Sequence, residues 1–259
     1  MPRFCANLSM MFNEVPFLDR FEAAAKAGFT AVEFLFPYEH PAAELRSRLQ
    51  AHGLTQALFN APPGDWAAGE RGTAALPGRE AEFREGVKRA LDYAHALDCG
   101  LVHCMAGIAP PGVAPATLAA RYAANIAWAA EQAEAAGVRL AIEPINHRDM
   151  PGYVLSTLAQ AAAVVTAVGA GRVGIQFDIY HCQVTEGDIT KRMEALMPLI
   201  AHMQIADVPA RNEPGTGEIG WDFVFRRIDA LGYRGWVGCE YRPAGDTVAG
   251  LAWRKNFNV

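Results

Sequence analysis

The sequence predicts an α/β fold, a closed (β/α)8 barrel in a single domain over residues 1–259. Three observations carry that expectation. Apolar runs of strand length alternate with helix-period segments from end to end, and helix after helix closes on a glycine directly before the next apolar run. A length of 259 residues also suits one barrel of about 250. No Ser/Gly-rich linker or long charge block divides the chain, and an apolar fraction of 51% is ample for one sizeable core.

The expected strands are 3–8, 30–35, 54–59, 100–105, 138–143, 173–178, 201–205 and 236–240. Their junctions repeat one device. Lys26-Ala27-Gly28, Ala51-His52-Gly53, Asp98-Cys99-Gly100, Ala135-Ala136-Gly137 and Ala230-Leu231-Gly232 each place glycine where a helix stop needs a left-handed residue. Between the stops the period is helical: Leu118, Tyr122, Ile126, Ala129 and Ala133 share one face, as do Phe83, Val87, Leu91, Ala94 and Leu97, and both stripes read as core packing. An open doubly wound sheet is the rival. Its dinucleotide cradle is missing, because Ala6-Asn7-Leu8-Ser9-Met10-Met11 contains no Gly-x-Gly-x-x-Gly, so no nucleotide cofactor is expected.

Glu143, Asp178, Gln204 and Glu240 each close a short apolar run. In a parallel barrel those carboxyl ends lie on one face, where binding residues gather. Residues two apart on a strand share a side, so Ala141, Gln176, His202 and Gly238 point inward with them, while Ile142, Phe177, Met203 and Cys239 point to the helices. One polar strand end facing solvent is unremarkable; four at matching positions indicate a site. Carboxylates packed together repel and lose hydration, so a hard divalent cation held by these four residues is the cheapest explanation. A substrate with two adjacent oxygens suits such an ion. Polarising an α-hydroxy carbonyl stabilises an enediolate, with Glu143 and Glu240 as base and acid, and the reaction is isomerisation or epimerisation.

Among the seven histidines, His181 stands three residues after Asp178, where it can bind substrate or orient a ligand, or serve as a plain loop residue. His103 ends the fourth strand and can line the same mouth, and His147 is a candidate for the rim. His40, His52 and His95 fall in helical segments facing solvent. Two loops rich in Gly and Pro carry bulky or charged residues: Asn60 to Gly72 with Trp66 and Arg71, and Arg211 to Glu218. Such loops are lids or binding loops, or else surface loops packed by their own side chains.

A net charge of -5 and a pI near 5.8 give no basic stripe for nucleic acid, so a small polar ligand is the expected partner. No export signal is evident and no membrane span is expected, since Arg121, Asn125 and Glu131 interrupt the longest alanine-rich stretch. The five cysteines form no Cys-x-x-Cys pair, and Cys104, Cys182 and Cys239 read as small buried hydrophobes, which fits a reducing cytoplasm. A homo-oligomer is compatible with the sequence.

The chain also resembles the hydroxypyruvate isomerase family of xylose isomerase-like TIM barrels, close to the 2-oxo-tetronate isomerases. The likeness runs through Ala6-Asn-Leu-Ser-Met-Met11, Val32-Glu-Phe-Leu-Phe-Pro-Tyr38, Pro63-Gly-Asp-Trp66, Gly69-Glu-Arg-Gly72, Leu76-Pro-Gly-Arg-Glu80, Ile142-Glu-Pro-Ile-Asn-His147, Asp178-Ile-Tyr-His181, Gln204-Ile-Ala206, Glu213-Pro-Gly-Thr-Gly-Glu218 and Gly235-Trp-Val-Gly-Cys-Glu-Tyr241. The resemblance implies interconversion of hydroxypyruvate and tartronate semialdehyde, with Glu143 and Glu240 as the proton-transfer pair and Asp178 and Gln204 completing the metal set. Related 3-epimerases have histidine where Gln204 stands, a difference that favours Mg or Mn over Zn. The Pro144 to Pro151 segment and the Pro-Gly-Thr-Gly loop look like hydroxypyruvate isomerases, whereas the opening Met-Pro-Arg-Phe and Asn60-Ala-Pro-Pro-Gly look like the oxo-tetronate branch. A short hydroxy-oxo acid needs a cation for its carboxylate, which Arg211, Arg71 or His181 can supply. Competing expectations are a ketose 3-epimerase, a hydrolase of abasic DNA and a non-catalytic sugar-binding barrel.

Overall fold

In the computed structural model, which describes residues 2–257, the alternation closes on itself. The elements are β1 Arg3–Asn7, α1 Arg20–Lys26, β2 Ala31–Phe34, α2 Ala42–Ala51, β3 Thr55–Asn60, α3 Glu80–Leu97, β4 Leu101–His103, α4 Pro115–Ala135, β5 Arg139–Ile142, α5 Leu158–Val168, β6 Val173–Asp178, α6 Ile179–Thr185, α7 Ile189–Leu196, β7 Ile200–Ile205, α8 Trp221–Ala230, β8 Trp236–Cys239, α9 Thr247–Gly250 and α10 Trp253–Asn256. The strands pair in parallel in chain order, and β8 returns to β1. The fold is a (β/α)8 barrel.

Both helical stripes pack inward. Leu118, Tyr122, Ile126, Ala129 and Ala133 are buried along α4, as are Phe83, Val87, Ala94 and Leu97 along α3. They cover the apolar outer faces of the strands, including Ile142, Phe177, Met203 and Cys239, in one continuous core apart from a small second cluster around Cys5, Ala31 and Ala57. Burial of these faces is the main drive to closure. All five cysteines are buried and free. Among the described residues no helix is long and apolar enough to cross a membrane.

The helix stops correct the sequence reading at one junction. Gly28, Gly53, Gly137 and Gly232 take positive φ as expected, but after α3 the left-handed residue is Asp98 at φ 55, not Gly100. A short polar side chain tolerates that conformation better than most. His40 also departs from expectation: it lies in a turn before α2, its ring stacked on Phe17 at 5.3 Å.

Candidate active site

The inward-facing strand residues build a polar floor. Register sets Asn7 beside Glu33, Gln176 beside His202, and Gln204 between Asp178 and Gly238. Glu33 is fully enclosed, and four side chains donate to it: Asn7 Nδ2 at 3.0 Å and Gln204 Nε2 at 2.8 Å on Oε1, His202 Nε2 at 2.6 Å and Cys5 Sγ at 3.5 Å on Oε2. Burial pushes its proton affinity up, but His202 and the amide donors outweigh that and hold the carboxyl below its usual range. A side chain at Gly238 would collide with the Glu33 carboxylate, so glycine makes room for the charge.

Three of the four predicted residues meet at the carboxyl ends of β5, β6 and β8. Glu143 and Glu240 stand one residue beyond β5 and β8, and Asp178 closes β6. Oxygens of these three carboxylates and a ring nitrogen of His181 lie within 4.8 Å of one another. Asp178 Oδ1 caps α6 by accepting the Tyr180 N–H at 2.8 Å, and Glu240 Oε1 accepts from Asn7 at 3.4 Å. Glu143 Oε1 is buried without a hydrogen-bond partner among the described residues. Gln204 lies against the floor, its amide oxygen accepting from Gln176 at 2.7 Å and its nitrogen engaged by Glu33. One lone pair of that oxygen remains.

Burial raises the proton affinity of all three carboxyls. Glu240 is pushed up to about 8, Glu143 rises by burial and by the negative Glu240 and Asp178, and Asp178 rises although Arg211 opposes the shift. His181 moves the other way, because burial and then Arg211 disfavour its charged form. Its contacts to Glu143 Oε1 at 3.7 Å and Asp178 Oδ2 at 3.5 Å are therefore not ion pairs. Asn146 donates to Nδ1 at 2.6 Å, which directs Nε2 to the carboxylates.

A cleft of about 410 Å³ opens above the cluster, lined among others by Glu143, His181, Arg211, Glu240, Trp66 and Arg71. Both Gly/Pro-rich loops therefore reach the site. Arg211 is largely but not wholly enclosed, with Nη2 3.2 Å from Asp178 Oδ2 and 2.5 Å from Glu240 Oε2. Arg71 sits 3.8 Å over the Trp66 ring and donates to the carbonyls of Trp66 and Glu70. His103 does not reach the cleft lining. Its ring is buried inside the barrel below the cleft, 3.2 Å from Asn60 Oδ1 and 3.9 Å from Glu143 Oε2, and burial lowers its pKa to about 3. His147 is exposed, bonding the Tyr153 carbonyl at 2.9 Å.

A protein-family model described as a xylose isomerase-like TIM barrel matches residues 21–257. The chain belongs to that family. Within the xylose isomerase-like barrels, it is 57% identical to a 2-oxo-tetronate isomerase of Cupriavidus necator, over 99% of each chain. It is 48% identical to the hydroxypyruvate isomerase of Escherichia coli, over 98% of each. These relatives are isomerases, and with end-to-end identity at this level the present chain is an enzyme of that class. A crystal structure from Brucella melitensis, of a protein named AP endonuclease, family 2, superposes with a TM-score of 0.96 at 49% identity over 99% of each chain. A D-psicose 3-epimerase of Clostridium cellulolyticum shares the fold at a TM-score of 0.78 and 19% identity, over 100% of this chain and 90% of that one.

Sequence reasoning missed several residues of this xylose isomerase-like site. Glu33 follows the same alternation as the four recognised residues, but it sits inside its apolar run instead of ending it. Asp207 was missed too: it gathers the 211–217 loop by accepting from the N–H groups of Val208, Gly215, Gly217 and Ile219 and from Trp221 Nε1. Arg148, which also lines the cleft, donates to Tyr180 Oη at 2.9 Å. No sequence spacing links those partners.

Proposed function

We propose that this enzyme isomerises a short hydroxy-oxo acid through an enediolate, interconverting hydroxypyruvate and tartronate semialdehyde. The observation that carries the reading is the convergence of Glu143 and Glu240 on one cleft, both with proton affinity raised by burial and Glu240 pushed up to about 8. A base poised near the working pH is strong enough to take a carbon-bound proton and is still able to return one. One glutamate removes a proton from the hydroxymethyl carbon, and the other protonates the former carbonyl carbon. The hydroxyl proton passes between the two oxygens, so the product is an isomer with no net gain or loss. His181 Nε2 faces the same carboxylates and can hydrogen-bond the oxygen that gains charge. Arg71 and Arg211, both on the cleft, are the candidates to grip the substrate carboxylate, with Trp66 closing one side.

The residues fit a divalent ion. The unpartnered Glu143 Oε1 and the four-residue group within 4.8 Å are what a hard cation would use. Glu143, Asp178 and Glu240 would hold it, with Gln204 through its remaining lone pair and His181 as a further candidate. The carboxylate and amide oxygens that dominate this set favour Mg or Mn over Zn. The ion would supply a Lewis acid for the hydroxy-carbonyl oxygens.

A second reading, a 2-oxo-tetronate isomerase, draws support from the 57% relative and from a cleft of about 410 Å³, which is roomy for a three-carbon acid. The chemistry would be unchanged. A hydrolase of abasic DNA has less support, because a net charge of -5 offers no phosphate track. The free, buried cysteines suit a reducing cytoplasm. Turnover of hydroxypyruvate, 2-oxo-tetronate and ketohexoses, measured in parallel with and without a chelator, tests the reading. Activity on ketohexoses alone would overturn it.

A further inference from the structure

Arg211 occupies the place a cation would take, and it does so through the oxygens an ion would need. Asp178 Oδ1 is committed to the Tyr180 N–H and Glu240 Oε1 faces Asn7. What remains to face the centre of the cluster is Asp178 Oδ2 and Glu240 Oε2, and Arg211 Nη2 contacts both, at 3.2 and 2.5 Å. An ion held by these two oxygens and the guanidinium cannot share them. Removing the guanidinium without replacement would leave Glu143, Asp178 and Glu240 buried together with no neutralising charge at their centre.

The surroundings suit exchange by side-chain rotation. The Arg211 backbone is fixed: its N–H donates to the Asp207 carbonyl and its carbonyl accepts from the Arg242 N–H, each at 2.9 Å. Its φ of 58 is unusual for a non-glycine residue. The guanidinium itself is held incompletely. Nε is buried without a partner among the described residues, Nη1 reaches Asp149 only at 3.8 Å, and the Tyr180 ring lies 4.9 Å from the guanidinium carbon. Tyr180 and Arg211 both line the cleft, so the space beside the guanidinium is continuous with it.

We propose that Arg211 is a built-in counter-cation that competes with a divalent ion for Asp178 Oδ2 and Glu240 Oε2, so that loading the ion and freeing the guanidinium for an acidic substrate are one event. The proposal rests on the ion-binding reading of the site given above. It explains how three buried carboxylates coexist before the ion arrives, and it couples ion binding to the appearance of a carboxylate-binding group in the cleft.

The test uses metal-stripped full-length protein and Mn²⁺ as the probe, with free Mn²⁺ followed by electron paramagnetic resonance. Arg211→Ala and Arg211→Gln should bind Mn²⁺ about 10- to 100-fold more tightly than the wild type, the worth of the charge-assisted hydrogen bonds an ion no longer has to displace. A wild-type readout needs no variant: phenylglyoxal should modify Arg211 faster in the Mn²⁺-loaded protein, as read by peptide mass spectrometry. Unchanged or weaker Mn²⁺ affinity in the variants, unchanged or slower modification on loading, or no Mn²⁺ binding to any of the proteins would overturn the competition. Turnover of the hydroxy-oxo acids is read separately. Its absence would sink the isomerase reading and leave the Mn²⁺ result standing.

Discussion

His202 Nε2 and Glu33 Oε2 meet at 2.6 Å on the floor of the barrel, both enclosed. The pair is one end of a chain of contacts that runs through Gln204 to Gln176 and through Asn7 to Glu240. A charge this deep is tolerated only because every oxygen lone pair it presents meets a donor.

Gly238 is the space that admits this charge. Gly238→Ala should destabilise the protein by about 1–3 kcal/mol, the usual cost of overpacking. The Ala methyl would collide with the Glu33 carboxylate, so combining it with Glu33→Ala should cost less than the sum of the two single changes. Urea denaturation of the four proteins checks the coupling, and strict additivity would contradict it.

Stability of the metal-free protein should carry a pH signature of Glu240. Its folded pKa of about 8 lies above the ordinary 4.5, so the neutral form is favoured in the folded state. The stability this group allows is full below about 4.5 and is lost as pH rises through about 8. Calorimetry in chelator should show a smaller decline over that window for Glu240→Gln than for the wild type. Matching declines would remove Glu240 as the source.

Asp178 has one oxygen capping α6 and one facing the cluster. Asp178→Asn should weaken Mg²⁺ or Mn²⁺ binding and shrink the rise in Tm that the ion gives, since a ligand of the native state stabilises it in proportion to its affinity. Thermal melts with and without the ion measure both effects. An undiminished rise would take Asp178 out of the ion's ligand set.

Truncating Arg211 or Arg71 should separate acid from neutral substrates. Loss of a charge-assisted carboxylate contact is worth about 1.5–3 kcal/mol, or roughly 10- to 100-fold in KM for hydroxypyruvate, with little change for a neutral ketose. Arg71 already stacks on Trp66 and holds two carbonyls, so the larger effect is expected at Arg211. Equal effects on both substrate classes at both positions would favour a ketose 3-epimerase.

The barrel was legible because the period switches cleanly between strand and helix, and because glycines mark the helix ends; at Asp98 a short polar residue does the same work and the glycine rule misplaces the stop. Glu143, Asp178, Gln204 and Glu240 are legible because each stands at the end of a strand-length run, at matching positions of the alternation. Glu33 is not, since its neighbours Val32 and Phe34 hide it, and its role depends on partners such as His202, 169 residues away in sequence. The composition of its loop singles out Arg211, but its seat between Asp178 and Glu240 depends on loop geometry, a positive φ and the gathering of the loop on Asp207, that spacing does not reveal. The strand-end position of His103 points to the site, and its ring lies 3.9 Å from Glu143 Oε2, but its bond to Asn60 is set by strand pairing that spacing does not reveal.

The proposed proton shuttle between Glu143 and Glu240 is tested most directly by proton NMR of hydroxypyruvate in deuterated buffer. The wild type should wash deuterium into the hydroxymethyl carbon as it isomerises. Glu143→Gln and Glu240→Gln keep the shape of the site and remove the base, and should slow turnover by roughly two to four orders of magnitude. Wild-type rates of deuterium exchange and isomerisation in both variants would contradict the account.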